Sequence, residues 1–205
     1  MPLLDELLKQ TPPITRALVI ASLLLTLLTH LEIVSGFKFF FNLGLIAWEL
    51  QIWRLVTHLL FFGELGIHTF FRLLLFYRFS KHLETSSFGS DSIAYFWFLV
   101  YGATLINGAA WLTGHFHLAD SLMTMIMYYW SRKNQDMMLQ VFGIIPVRAP
   151  YITWFFMVIE YLIGDFVVKD LIGIIVGHVY FYYVDIYPRM GTGSKLRVFE
   201  APAIL

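Results

Sequence analysis

Apolar residues run in six blocks along the chain, at positions 17–31, 65–79, 93–112, 118–130, 151–164 and 171–184. Each block predicts a membrane-spanning helix. Only the third reaches the ~20 residues that cross a hydrocarbon core of ~30 Å. The others hold 13 to 15 residues, short enough to be read singly as core helices of a soluble protein. Six of them together point to lipid. Between the first two blocks, residues 35–62 interleave Phe37, Phe39, Phe40, Phe41, Trp48 and Trp53 with Lys38, Glu49, Gln51 and Arg54. Aromatic rings sit well where one end is apolar and the other wet, so this connection is expected at headgroup level. The pattern predicts an all-α polytopic membrane protein of six spans, one domain over residues 1–190 and a short cytosolic tail over 191–205. No internal repeat is visible.

Composition strengthens that reading. Charged residues make up 14% of the chain and apolar residues 59%, and the mean hydropathy is +0.70. A soluble domain carries roughly 25% charged residues. The 14 basic and 14 acidic side chains cancel, which argues against a nucleic-acid partner. There is no cysteine, which excludes disulfides, thiolate nucleophiles and cysteine metal sites. The start of the chain lacks the pattern of a cleaved signal. Ten of the 14 Lys and Arg, counting Arg78 at the very end of the second block, fall before the first block, between the second and third, between the fourth and fifth, and after the sixth. Lys38, Arg54 and Lys169 fall on the other side, and Arg72 lies inside a span. The positive-inside rule then places both termini in the cytosol.

Four short motifs occur in order: Pro13-Ile14-Thr15-Arg16, Gln51-Ile52-Trp53-Arg54, Leu83-Glu84-Thr85 and Gly173-Ile174-Ile175-Val176-Gly177-His178. Their order and spacing resemble the Derlins, the rhomboid-like proteins of endoplasmic-reticulum-associated degradation. The likeness runs from about residue 10 to about residue 190. The resemblance implies a six-helix rhomboid-like fold in the endoplasmic reticulum membrane with both termini cytosolic. It implies a part in retrotranslocating misfolded polypeptides to the cytosol. The partners it implies are a membrane RING ubiquitin ligase complex and an AAA unfoldase. The unfoldase-binding tail motif of some Derlins has no counterpart in this sequence; either that contact is indirect, through partners, or the tail has been removed.

Active rhomboids carry a serine on the fourth span and a histidine on the sixth that takes its proton. In register with that pattern, this chain offers Ala119 and Asp170. On the second span, the rhomboid pair of histidine and asparagine becomes His68 and Arg72. The expectation is a pseudoprotease without catalytic residues. The alternatives are an intramembrane serine protease using Ser121 and His178, which lacks flanking glycines and spacing, and a small-molecule transporter, which usually shows repeats.

Other residues invite two readings each. A cation within a span is costly, about 2.5–3.5 kcal/mol on insertion scales. Arg72 therefore either lines a polar cavity, together with His68 one turn earlier, or pairs with Glu160 or Asp120. Asn107, with Thr104, either hydrogen-bonds a neighbouring helix or joins that cavity, and Glu160 either joins it or lies at the interface near Asp165 and Lys169. His115, His117 and Asp120 are too closely spaced for a metal site without further ligands, and no cofactor is expected. Gly173 and Gly177 share a face that admits a neighbouring helix. Trp53 and Arg54 are read as anchors of the interfacial loop. Met123, Met125, Met127, Tyr128 and Tyr129 are read as packing. Fourteen helical residues rise about 21 Å, against an endoplasmic reticulum core of about 27 Å. Local thinning of the membrane is therefore expected beside the fourth, fifth and sixth spans.

Overall fold

The computed structural model describes residues 11–190, apart from 142 and 144, so the proposed tail over 191–205 lies outside the described residues. In chain order the helices are α1 (Pro13–His30), α2 (Leu43–Trp48), α3 (Arg54–Leu60), α4 (Ile67–His82), α5 (Ser92–Thr113), α6 (Ala119–Lys133), α7 (Ala149–Ile163) and α8 (Val168–Phe181). Six of them fall on the six apolar blocks. The short α2 and α3 occupy the aromatic connection. Its outer side chains are exposed, with Trp48 at 89% and Phe37 at 78%. Its inner ones, Phe39, Phe41 and 59–62, are buried.

Start and stop signals are local. Asp91 accepts the backbone N–H of Ile93 at 3.0 Å and of Ala94 at 3.1 Å, capping α5. Gly114 and Gly164, at φ 70° and 94°, close α5 and α7 in the left-handed conformation.

Two lengths differ from the sequence expectation. Helix α1 has 18 residues, and the sixth span runs through 22 residues, Val168–Arg189. These two and α5 are each long and apolar enough to cross a membrane. The sixth span extends because α8 continues as a π turn (Tyr182–Ile186) and a 3-10 turn (Tyr187–Met190). The apolar pattern hid this. Asp185 breaks the pattern, yet it is buried and paired with Lys133 and Tyr129. The sixth span is therefore not short. Nor does the shortness of α6 meet lipid, because every residue from Ala119 to Ser131 is buried.

Burial explains how α6 carries Asp120, Ser121, Thr124 and Ser131 in a bilayer: protein surrounds them. Helices α8, α7, α4 and α5 all pack on α6, and Met123, Met125, Met127, Tyr128 and Tyr129 fill those contacts. A short antiparallel hairpin, β1 (Met138–Val141) and β2 (Ile145–Arg148), joins α6 to α7. Sequence reasoning missed it. Its strands have four residues each, and Pro146 interrupts the second.

The tightest seam is α6 against α8. A Cβ built on Gly177 would lie 3.1 Å from the Tyr128 ring and 3.2 Å from the Met125 carbonyl oxygen. At Gly173 it would lie 2.8 Å from Thr124 Cβ. Overpacking of this kind costs about 1–3 kcal/mol. Gly177→Leu should accordingly lower the thermal midpoint of the purified protein and its abundance in cells. Unchanged values in both assays would contradict the close approach.

Candidate functional site

Helices α4 and α7 both pack on α6 but barely on each other. Between them lies a groove of about 520 Å3. Leu74, Leu75, Phe79, Ile152, Phe156 and Ile159 make its apolar length, and the β1–β2 hairpin closes one end through Leu139, Gln140, Val141 and Gly143. At the other end stand His68, Arg72, Glu160 and Asp165.

Arg72 is the hub of that polar end. Its Nε lies 3.4 Å from Asp120 Oδ1 and 3.8 Å from Glu160 Oε1, and its Nη2 donates to Asp165 Oδ2. One guanidinium thus meets α6, α7 and the α7–α8 turn. Lys169 joins from α8, 3.0 Å from both Asp120 and Asp165. Both readings of Arg72 apply at once, since it lines the groove and is also paired. Burial alone would raise the Asp165 carboxyl. The hydrogen bonds from Arg72 and Lys169 outweigh it and hold this group below the usual carboxylate range. The stability that Asp165 contributes is present above the ordinary carboxylate value of about 3.9. It is lost only as pH falls through the depressed value.

His68, Arg72 and Glu160 therefore meet in one groove, and Asn107 does not. Its Nδ2 donates to the Leu55 carbonyl at 3.2 Å and to Ala103 at 2.7 Å, tying α3 to α5. The reason is register: Asn107 stands on the face of α5 that packs against α3. Asp165 and Lys169 belong to the polar end, although sequence reasoning placed them only near Glu160. Their signal was four charges, Glu160, Asp165, Lys169 and Asp170, around one turn.

The hydroxyl and imidazole of the conceivable dyad are engaged elsewhere. Ser121 Oγ donates to the Lys169 carbonyl at 2.6 Å. His178 Nδ1 lies 2.7 Å from the Tyr128 hydroxyl. Ala119 is buried at the start of α6, and Asp170 accepts from Thr124 Oγ1 at 2.8 Å. His117 Nε2 bonds the Phe61 carbonyl.

The model of the Der1-like family matches residues 11–203. The chain is 32% identical to Derlin-2 of Oryza sativa subsp. japonica over 202 residues, covering 93% of this chain and 81% of the relative. It is 29% identical to Derlin-2.2 of Arabidopsis thaliana over 204 residues, covering 94% and 84%. It is also 29% identical to a probable derlin-2 homolog of Dictyostelium discoideum over 208 residues, covering 98% and 81%. The chain belongs to the Der1-like family. Its helical, polytopic architecture is consistent with the rhomboid-like fold that the resemblance implied. It is a multi-pass membrane protein, and membership supports a role in endoplasmic-reticulum-associated degradation.

The Derlin motifs turn out to be joints of the scaffold. Glu84 is fully buried and accepts from Thr15 N at 2.8 Å, Ile14 N at 3.2 Å, Thr15 Oγ1 at 2.8 Å and Ser92 Oγ at 2.7 Å. The carboxyl group of the Leu-Glu-Thr motif thus caps the Pro-Ile-Thr-Arg helix start, where no side chain of α1 does so. Arg54 is 6% exposed. It donates to the carbonyls of Phe37 at 3.0 Å and Phe40 at 2.8 Å, and to Gln51 Oε1 at 2.7 Å. Its neighbour Trp53 is 52% exposed. Arg54 thus ties the aromatic connection from inside while Trp53 faces outward.

Proposed function

We propose that this Derlin binds segments of misfolded polypeptide in the α4–α7 groove and eases their passage across the endoplasmic reticulum membrane, without cleaving them. The groove supports this reading: an apolar wall between two helices that scarcely touch, ending in a charged cluster beside the α7–α8 turn. An apolar client segment leaves lipid for the groove wall, while polar backbone is met at the Arg72 end. Helix α7 faces outward along Tyr151, Trp154, Val158 and Leu162. Its 15 residues rise about 22 Å, short of the ~27 Å core. The bilayer thins beside this one short, outward-facing helix, which shortens the apolar path for a client.

Both termini face the cytosol, where a membrane RING ubiquitin ligase complex and, through it, an AAA unfoldase receive the client. Ser121 and His178 serve packing and hydrogen bonding, so Ser121→Ala leaves client turnover unchanged.

The test is photocrosslinking from inside the groove. A photoreactive residue at Leu75 should capture a client during its degradation. The same residue at Leu105, on the outward side of α5, should not. Equal capture at both positions would remove the groove from the mechanism.

A further inference from the structure

Two arginines flank the groove, and their surroundings differ. Arg72 has three carboxylates around it. Arg78, at the hairpin end, is exposed and has no acidic partner among the described residues. It lines the groove beside Gln140 and Gly143, at the end of the bundle where the Lys/Arg-rich connections lie. From Arg78 to His68 is ten residues of α4, about 15 Å at 1.5 Å per residue. That is close to half of the ~27 Å core of an endoplasmic reticulum bilayer, the depth of one leaflet. Between the two ends the wall is apolar. The groove therefore presents, over about the depth of one leaflet, one cation with no acidic partner among the described residues, an apolar run of about 9 Å from Arg78 to Arg72, and a far end whose cation is already paired with carboxylates.

We propose that the groove holds one acyl chain of a membrane phospholipid, with its phosphate on Arg78. A guanidinium matches phosphate oxygens through paired N–H donors, and basic pockets between membrane helices are recognised sites for lipid headgroups. The chain lies along Leu75, Phe79, Phe156 and Ile159 and stops short of Arg72. The site is a property of the protein without client, so it stands or falls separately from polypeptide binding.

The test uses the purified full chain in nanodiscs containing phosphatidylcholine with a diazirine in one acyl chain, with no client present. Labelled peptides are mapped by mass spectrometry. Labelling should concentrate at Leu75 and Ile159, exceeding that at outward Trp97 and Leu105 of α5 at least fivefold. Arg78→Gln should lower groove labelling about fivefold. Leu74→Trp, which fills the groove from an exposed position, should lower it to the same degree with Arg78 intact. A diazirine fatty alcohol, which lacks phosphate, should label the groove and α5 alike. Labelling at Leu75 that equals labelling at Leu105, or that ignores Arg78→Gln, would overturn the site and leave only annular lipid.

Discussion

Glu84→Ala should cost about 3 kcal/mol or more of stability. The carboxyl group, on the turn after α4, holds four donors from two segments: three from the start of α1 and one from the start of α5. Hydrogen bonds to a charged acceptor are worth about 1.5–3 kcal/mol each, and a buried donor left without a partner adds a penalty of similar size. Removing the carboxyl orphans the Thr15 N–H in a fully buried site, where water cannot replace it. Glu84→Gln keeps one acceptor oxygen and should lose less. The measurement is the thermal midpoint of the purified protein, together with proteolysis of the α1 start. A Glu84→Ala protein as stable as the parent would mean that α1 is held by apolar packing alone.

Arg72→Leu should cost about 3–5 kcal/mol, the range for removing one partner of a buried ion pair. Asp120 is fully buried and would keep only Lys169, while Glu160 and Asp165 would lose their shared cation. The predicted signature is partial rescue: adding Asp165→Asn to Arg72→Leu should recover stability, because the excess negative charge is then reduced. A double-mutant cycle reads this coupling directly. Additive losses without rescue would show that Arg72 acts through its aliphatic stem rather than its charge.

How legible this molecule was depends on the kind of signal. The apolar blocks located the six long helices because burial in lipid demands apolar side chains over most of each span. The same signal failed where polar residues are buried by protein. Asp185 ended the sixth block early, although its partners Lys133 and Tyr129 carry the helix onward. The family motifs were legible as strings without their physics. Glu84 stood out only as part of Leu-Glu-Thr, yet three of its four donors lie about 70 residues away, where Pro13 begins a helix without its own cap. Of the four residues expected at a polar cavity, His68, Arg72 and Glu160 share the groove. Asn107 does not, because its register on α5 points it at α3. The groove itself had no sequence signal, since it arises from two helices that share a neighbour and barely meet each other.

For clients to pass through the α4–α7 groove, it must be free to open between the two helices. The chain contains no cysteine, so Leu75→Cys and Ile159→Cys can be joined across the groove by a reducible bis-maleimide with no competing thiol. Release of a misfolded luminal client from sealed membranes should stop when the two helices are tethered and resume when the linker is reduced. Release should stay normal in Ser121→Ala. Client release at the parent rate with α4 and α7 joined would contradict the account.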